Sequence, residues 1–176
     1  MITSEKIAQV LTTFGAEESI SNVQIRPDCS VIARFESWID PERPYHLIVR
    51  PIKEQQILCI YVSPFLKVPK HSDISRKLLL LNLGLGPANL CIKPPDETLL
   101  YKIEYYYENS DGPSREFCEW LLSQCIAGVR GVERVLFYEN MIERGIPKET
   151  AEGITNTLFG DRFTTEWNHL METKKP

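Results

Sequence analysis

Apolar residues recur along this chain at two different spacings, and the switches between them mark the expected element boundaries. From Thr3 to Phe14, the residues Ile7, Val10, Leu11 and Phe14 fall at i, i+3, i+4 and i+7, and Gly15 follows where a left-handed cap is wanted. This predicts an amphipathic helix. After a polar stretch containing Pro27 and Asp28, Ser30 to Trp38 alternates Val31, Ala33 and Phe35 with Ile32, Arg34 and Glu36, as a strand with one wetter face does. Asp40 to Pro44 forms a turn-rich break. Tyr45 to Ile52 and Gln56 to Val62 are then β-branched and apolar runs, and only Lys53, Glu54 and Gln55 separate them, which predicts a hairpin. Pro51 has no amide donor, so it belongs at a strand end, a bulge or an unpaired edge.

The loop from Pro64 to Pro69 carries Phe65, Leu66 and Val68 among Lys67, Lys70 and His71. Those three side chains are candidate contacts for a protein partner, and the competing reading tucks them onto the core. Ser72 is suited to cap a second helix, Asp73 to sit at its positive end, and Ile74, Leu78, Leu81 and Leu85 line one side up to a stop near Gly84. Asn89 to Lys93 and Thr98 to Glu108 predict a second hairpin, turned at Pro94 to Glu97. On its long strand Tyr101, Ile103, Tyr105 and Tyr107 share one face, with Lys102, Glu104, Tyr106 and Glu108 on the other. From Pro113 to about Tyr138 the chain is at its most helix-like, with Phe117, Leu121, Cys125 and Val129 as one ridge widened by Trp120 and Leu122. Gly128 and Gly131 each weaken a helix by about 1 kcal/mol relative to alanine, so they mark close packing, a kink or a break. A short helix from Ile146 to Phe159 and a weakly amphipathic tail follow.

With 176 residues the chain suits one domain or one domain with an appendage. The expected division is an α+β domain over 1–138 and a helical C-terminal extension over 139–176, packed on the domain or on a partner subunit. The 20 basic and 24 acidic residues sum to −4, which removes any whole-molecule attraction to phosphate or anionic lipid. Nucleic acid is therefore not an expected partner. Aliphatic runs end well short of the ~20 residues that span a bilayer, and Glu5 and Lys6 interrupt the position of a signal peptide's apolar stretch. A soluble, cytoplasmic protein is expected. The five cysteines are odd in number and contain no CxxC pair, which favours free thiols over a disulfide framework or a zinc site.

Catalytic signatures are missing from the linear text. His46, His71 and His169 form no HxxxH or HExxH pair, and neither a DxDxDG calcium loop nor a GxSxG turn occurs. Gly84 to Pro87 follows a predicted helix and precedes a strand, the reverse of the order that phosphate loops use. No cofactor is expected. The tyrosine stripe could stack bases, but only Lys102 is basic between Tyr101 and Glu108, so a core or interface face is the better reading. An enzyme or small-ligand site assembled only in three dimensions is the alternative that such a text leaves open.

Read in order, the elements are helix, three strands, helix, two strands and helix. This order resembles the type III secretion chaperone-like fold, including the YbjN-like family. Ser75 to Asn82 followed by Asn89 to Lys93 looks like that family's helix with a leucine and asparagine ending before a short strand. The strand Thr98 to Glu108 and the helix from Ser114 continue the likeness, which covers about Thr3 to Leu136. The C-terminal appendage departs from the shorter pattern. The resemblance implies an antiparallel sheet of about five strands with helices packed on it, a cytosolic homodimer, and a chaperone-like or regulatory role in holding a partner polypeptide. No functional residue carries over from it.

Overall fold

The computed structural model describes residues 3–15, 20–37, 42–63, 82, 87–93, 98–108 and 112–159. These residues form an α+β fold: one antiparallel sheet of six strands with helices packed on it. Helix α1 (Ser4–Gly15) leads into β1 (Ile20–Ile25), β2 (Val31–Phe35) and β3 (Tyr45–Ile52). A short 3-10 turn at Lys53–Gln55 then turns the chain into β4 (Ile57–Ser63). After β5 (Ala88–Lys93) and β6 (Thr98–Tyr106) come the long α2 (Arg115–Glu143) and α3 (Lys148–Phe159). Apart from Asn82, the predicted second helix lies outside the described residues, as does the tail beyond Phe159.

The strand order is β1-β2-β3-β4-β6-β5, so the second hairpin joins the first through β6 and leaves β5 at the rim. Direct cross-strand partners share a face. One face therefore carries Ala33 opposite Leu47, Leu47 opposite Val62, Val62 opposite Tyr101, and Tyr101 opposite Leu90. All five are buried, together with Ile7, Val10 and Leu11 of α1 and Leu121, Cys125 and Val129 of α2. The tyrosine stripe is thus a core feature: Tyr101 and Ile103 are sealed beneath α2, where no base could stack. Pairing of β2 with β3 ends at Val31 and Val49, so Pro51 stands where β3 has lost one neighbour and its missing amide costs no ladder bond.

The sheet has one strand more than the five expected from the sequence. Ile20–Ile25 reads as a polar stretch because only Ile20 is fully buried and the ladder slips between Ser21 and Gln24. Asn22, at φ 53, occupies the left-handed region within that bulge, which breaks the two-residue alternation on which strand recognition depends. The start of α1 is fastened beside it, where the Ser4 hydroxyl donates to the Cys29 carbonyl at 2.6 Å.

Gly128 and Gly131 sit in one unbroken helix. A Cβ at Gly128 would overlap the Tyr101 phenol, whereas one at Gly131 would meet nothing within 4 Å. Close packing explains the first glycine, and the second has no contact that explains it. The helix starts at Ser114, whose hydroxyl accepts from the Phe117 amide at 3.2 Å. It runs uninterrupted through the expected boundary at 138/139 and stops at Gly145, with φ 81. There Gly145 donates to the Ile142 carbonyl at 2.9 Å and Ile146 to that of Met141 at 3.0 Å, a Schellman closure. Helix α3 folds back on α2 and buries Ala151 against Val135, Tyr138 and Met141.

Gly128→Ala should lower stability by about 1–3 kcal/mol through overpacking against Tyr101. Gly131→Ala should raise it by about 1 kcal/mol from helix propensity alone. Urea denaturation of the two variants checks this, and equal shifts would mean that α2 does not rest on Tyr101.

Candidate protein-interaction surface

Among the described residues, buried Ser37, Arg130 and Glu133 come together with Tyr45 where the ends of β2 and β3 meet α2. Glu133 has no exposed surface. The Ser37 hydroxyl donates to its Oε1 at 2.7 Å and the Tyr45 hydroxyl at 2.9 Å, while Arg130 Nη1 reaches Oε2 at 2.9 Å. Arg130 also lies over the Phe35 ring, 4.6 Å from its centroid. The helix brings Arg130 and Glu133 together at i, i+3, and the strand ends supply the two hydroxyls. Glu133 continues the Leu121, Cys125 and Val129 ridge at the next i+4 position, the signal that marks it as an inward-facing carboxylate. That burial pushes the Tyr45 phenol far above the ordinary tyrosine value, and the charge of Glu133 adds to the shift.

The arrangement satisfies a carboxylate and ties strands to helix. Among the described residues the one histidine is His46, and it projects to the opposite face of β3 from Tyr45. Among the described residues no cluster of three or more His, Cys, Asp or Glu side chains is placed to hold a metal ion. No described helix is long and apolar enough to cross a membrane. All five cysteines are free; Cys59, Cys118 and Cys125 are buried, and Cys29 and Cys91 are exposed. Burial pushes the thiols of Cys118 and Cys125 up to about 11 and about 12, which keeps them unreactive near neutrality.

The exposed features are of a different kind. At the start of α2, Phe117 bridges Tyr105 and Trp120, with ring centroids 4.5 Å and 5.3 Å apart. Trp120 ends this ridge 48% exposed, although its place beside the predicted apolar ridge suggested a buried position. Nearby on the same strand as Tyr105, but on the other sheet face, Tyr106 is 67% exposed. The outer face carries a half-buried cross-strand row of Ile32, Ile48, Tyr61 and Lys102, with Lys102 paired to Glu104 at 2.7 Å. Arg34, His46 and Arg50 are exposed around that row.

At the rim, the Asn82 side chain binds the backbone of β5 on both sides of one residue. Leu90 N–H donates to Asn82 Oδ1 at 2.6 Å, and Asn82 Nδ2 donates to the Leu90 carbonyl at 3.2 Å. The sequence puts Asn82 at a helix ending, and no local pattern reveals this contact, which depends on where β5 lies. The predicted contacts Phe65, Leu66 and Val68 lie outside the described residues. No protein-family model matches the chain, and no curated protein is significantly similar to it.

Two outcomes follow from the interior chemistry. Glu133→Ala strips two hydroxyls of their acceptor and Arg130 of a carboxylate, and should cost about 3–5 kcal/mol. The double variant Arg130→Met with Glu133→Leu should cost less than that single change, as read by urea midpoint. Tyr45, Cys118 and Cys125 stay protonated in the folded chain at pH values where unfolded tyrosine and cysteine, at about 10 and about 8.5, ionise. Their contribution is complete below about pH 8 and falls as pH rises through about 9 to 12. The urea midpoint should be level from pH 7 to 8 and lower at pH 10.5, with a smaller drop in Cys125→Ala.

Proposed function

We propose that this chain is a non-enzymatic protein-interaction module, chaperone-like or regulatory, that works in the cytoplasm as a homodimer and holds a partner polypeptide on its sheet and helix surfaces. The observation that supports this reading is the ridge of Tyr105, Phe117 and Trp120, anchored in the core at one end and about half exposed at the other. Aromatic side chains fixed by packing contribute large contact area at little entropic cost, and tryptophan and tyrosine are enriched among residues that dominate interface energetics. The order of elements read from the sequence resembles the type III secretion chaperone-like pattern, and that resemblance supports a binding role. The Glu133 cluster gives an enzymatic reading no support, because both carboxylate oxygens are engaged and the residue has no surface.

The test uses tagged full-length chain, wild type and Trp120→Ala, for capture from the native cell and for light scattering in solution. A polypeptide should be retained by the wild type and bound at least tenfold more weakly by Trp120→Ala, with folding stability changed by less than about 1 kcal/mol. A strict monomer that retains the same polypeptides with and without Trp120 would overturn the proposal.

A further inference from the structure

Among the described strands, β5 and β1 form the two rims of the sheet, and they are blunted by different means. On β1 the ladder is bulged at Asn22, which bends the strand itself. On β5 the ladder with β6 is regular from Ala88 to Lys93, and the rim is occupied from outside by a side chain. Leu90 presents both its amide and its carbonyl to Asn82, so both face away from β6. In an antiparallel pair this orientation recurs every second residue, and the backbone groups of Ala88 and Ile92 are therefore directed to the same side.

The carboxamide of Asn82 carries a donor and an acceptor like those of the backbone, and it meets Leu90 as the N–H and C=O of one residue on an antiparallel neighbouring strand would. We propose that the β5 rim is a strand-docking site for which Asn82 is the built-in stand-in, displaced when an extended segment of a partner protein adds to the sheet. This deepens the binding-module reading by naming where and in what form the polypeptide is held. The side chains of β5 state the chemistry of the occupant. Toward the helices lie Ala88, Leu90 and Ile92, the last 45% exposed at the end of the row and ready to take an apolar neighbour. Toward the outer face lie Asn89, Cys91 and Lys93, all exposed, with Lys93 as the only charge. The segment that fits alternates apolar residues with polar or acidic ones, its acidic side chain opposite Lys93.

The probes are two synthetic hexapeptides, one alternating valine with glutamate and one alternating valine with lysine, each followed by fluorescence polarisation against the full chain. The glutamate peptide should bind, and Asn82→Ala should bind it about tenfold more tightly, because two hydrogen bonds to Leu90 no longer have to be exchanged. Hydrogen exchange at the Leu90 amide should speed up in Asn82→Ala and slow again when peptide is added. Lys93→Glu should reverse the preference between the two peptides, and this variant decides the matter alone should Asn82→Ala fail to fold. Absence of binding by either peptide, equal affinity in wild type and Asn82→Ala, or an unchanged preference in Lys93→Glu would overturn the assignment. So would an Asn82→Ala chain that dimerises through β5 and excludes both peptides, since the occupant would then be a second copy. A chain that retains a partner through Trp120 but binds neither peptide would overturn the rim site and leave the binding module standing.

Discussion

A carboxylate with no exposed surface needs hydrogen bonds on both oxygens, and meeting that need at Glu133 determines how the long helix lies on the sheet. Oε2 is met from within the helix by Arg130, but Oε1 is met by Ser37 and Tyr45, from the ends of two neighbouring strands. The helix cannot slide or roll without separating these groups, and an unpaired charge at this depth would cost several kcal/mol. Further toward the helix start, the bare backbone at Gly128 admits Tyr101, so the same helix is located by polar bonds at one place and by close packing at another. Hydrophobic burial supplies most of the driving force, while these two contacts select the register in which it is obtained.

Much of this architecture is legible from spacing alone. The ridge Ile7, Val10, Leu11 and the ridge Leu121, Cys125, Val129 are buried where their periodicity places them, and the two hairpins pair as their lengths and turns imply. Alternation on β6 places Tyr101 and Ile103 on one core or interface face, and both are core residues. The element that escapes is β1, because a bulged rim strand with one buried side chain has no regular period to detect. The opposite limitation applies at Trp120, where periodicity identifies an apolar helix flank but cannot tell how far a neighbouring layer extends over it.

The polar contacts of the candidate site are less legible than the fold for a physical reason. Glu133 is encoded as the next step of an apolar ridge, but its hydroxyl partners lie 88 and 96 residues away, and no local pattern announces them. Asn82 and Leu90 are only eight residues apart, but their contact matters because β5 is at the rim, a fact set by the pairing of β6 with β4. Local periodicity reports burial, whereas rims and exposed ridges depend on which element ends up beside which.

The bulge at Asn22 has a consequence for assembly. Fibrous growth by head-to-tail stacking needs two straight, mutually matching sheet margins on every copy, so that each molecule offers one and receives at the other. Here the β1 margin is bulged at Asn22, which makes it a poor receiving half. A margin of that kind works against open-ended ribbon growth, because every added copy would have to match its bend.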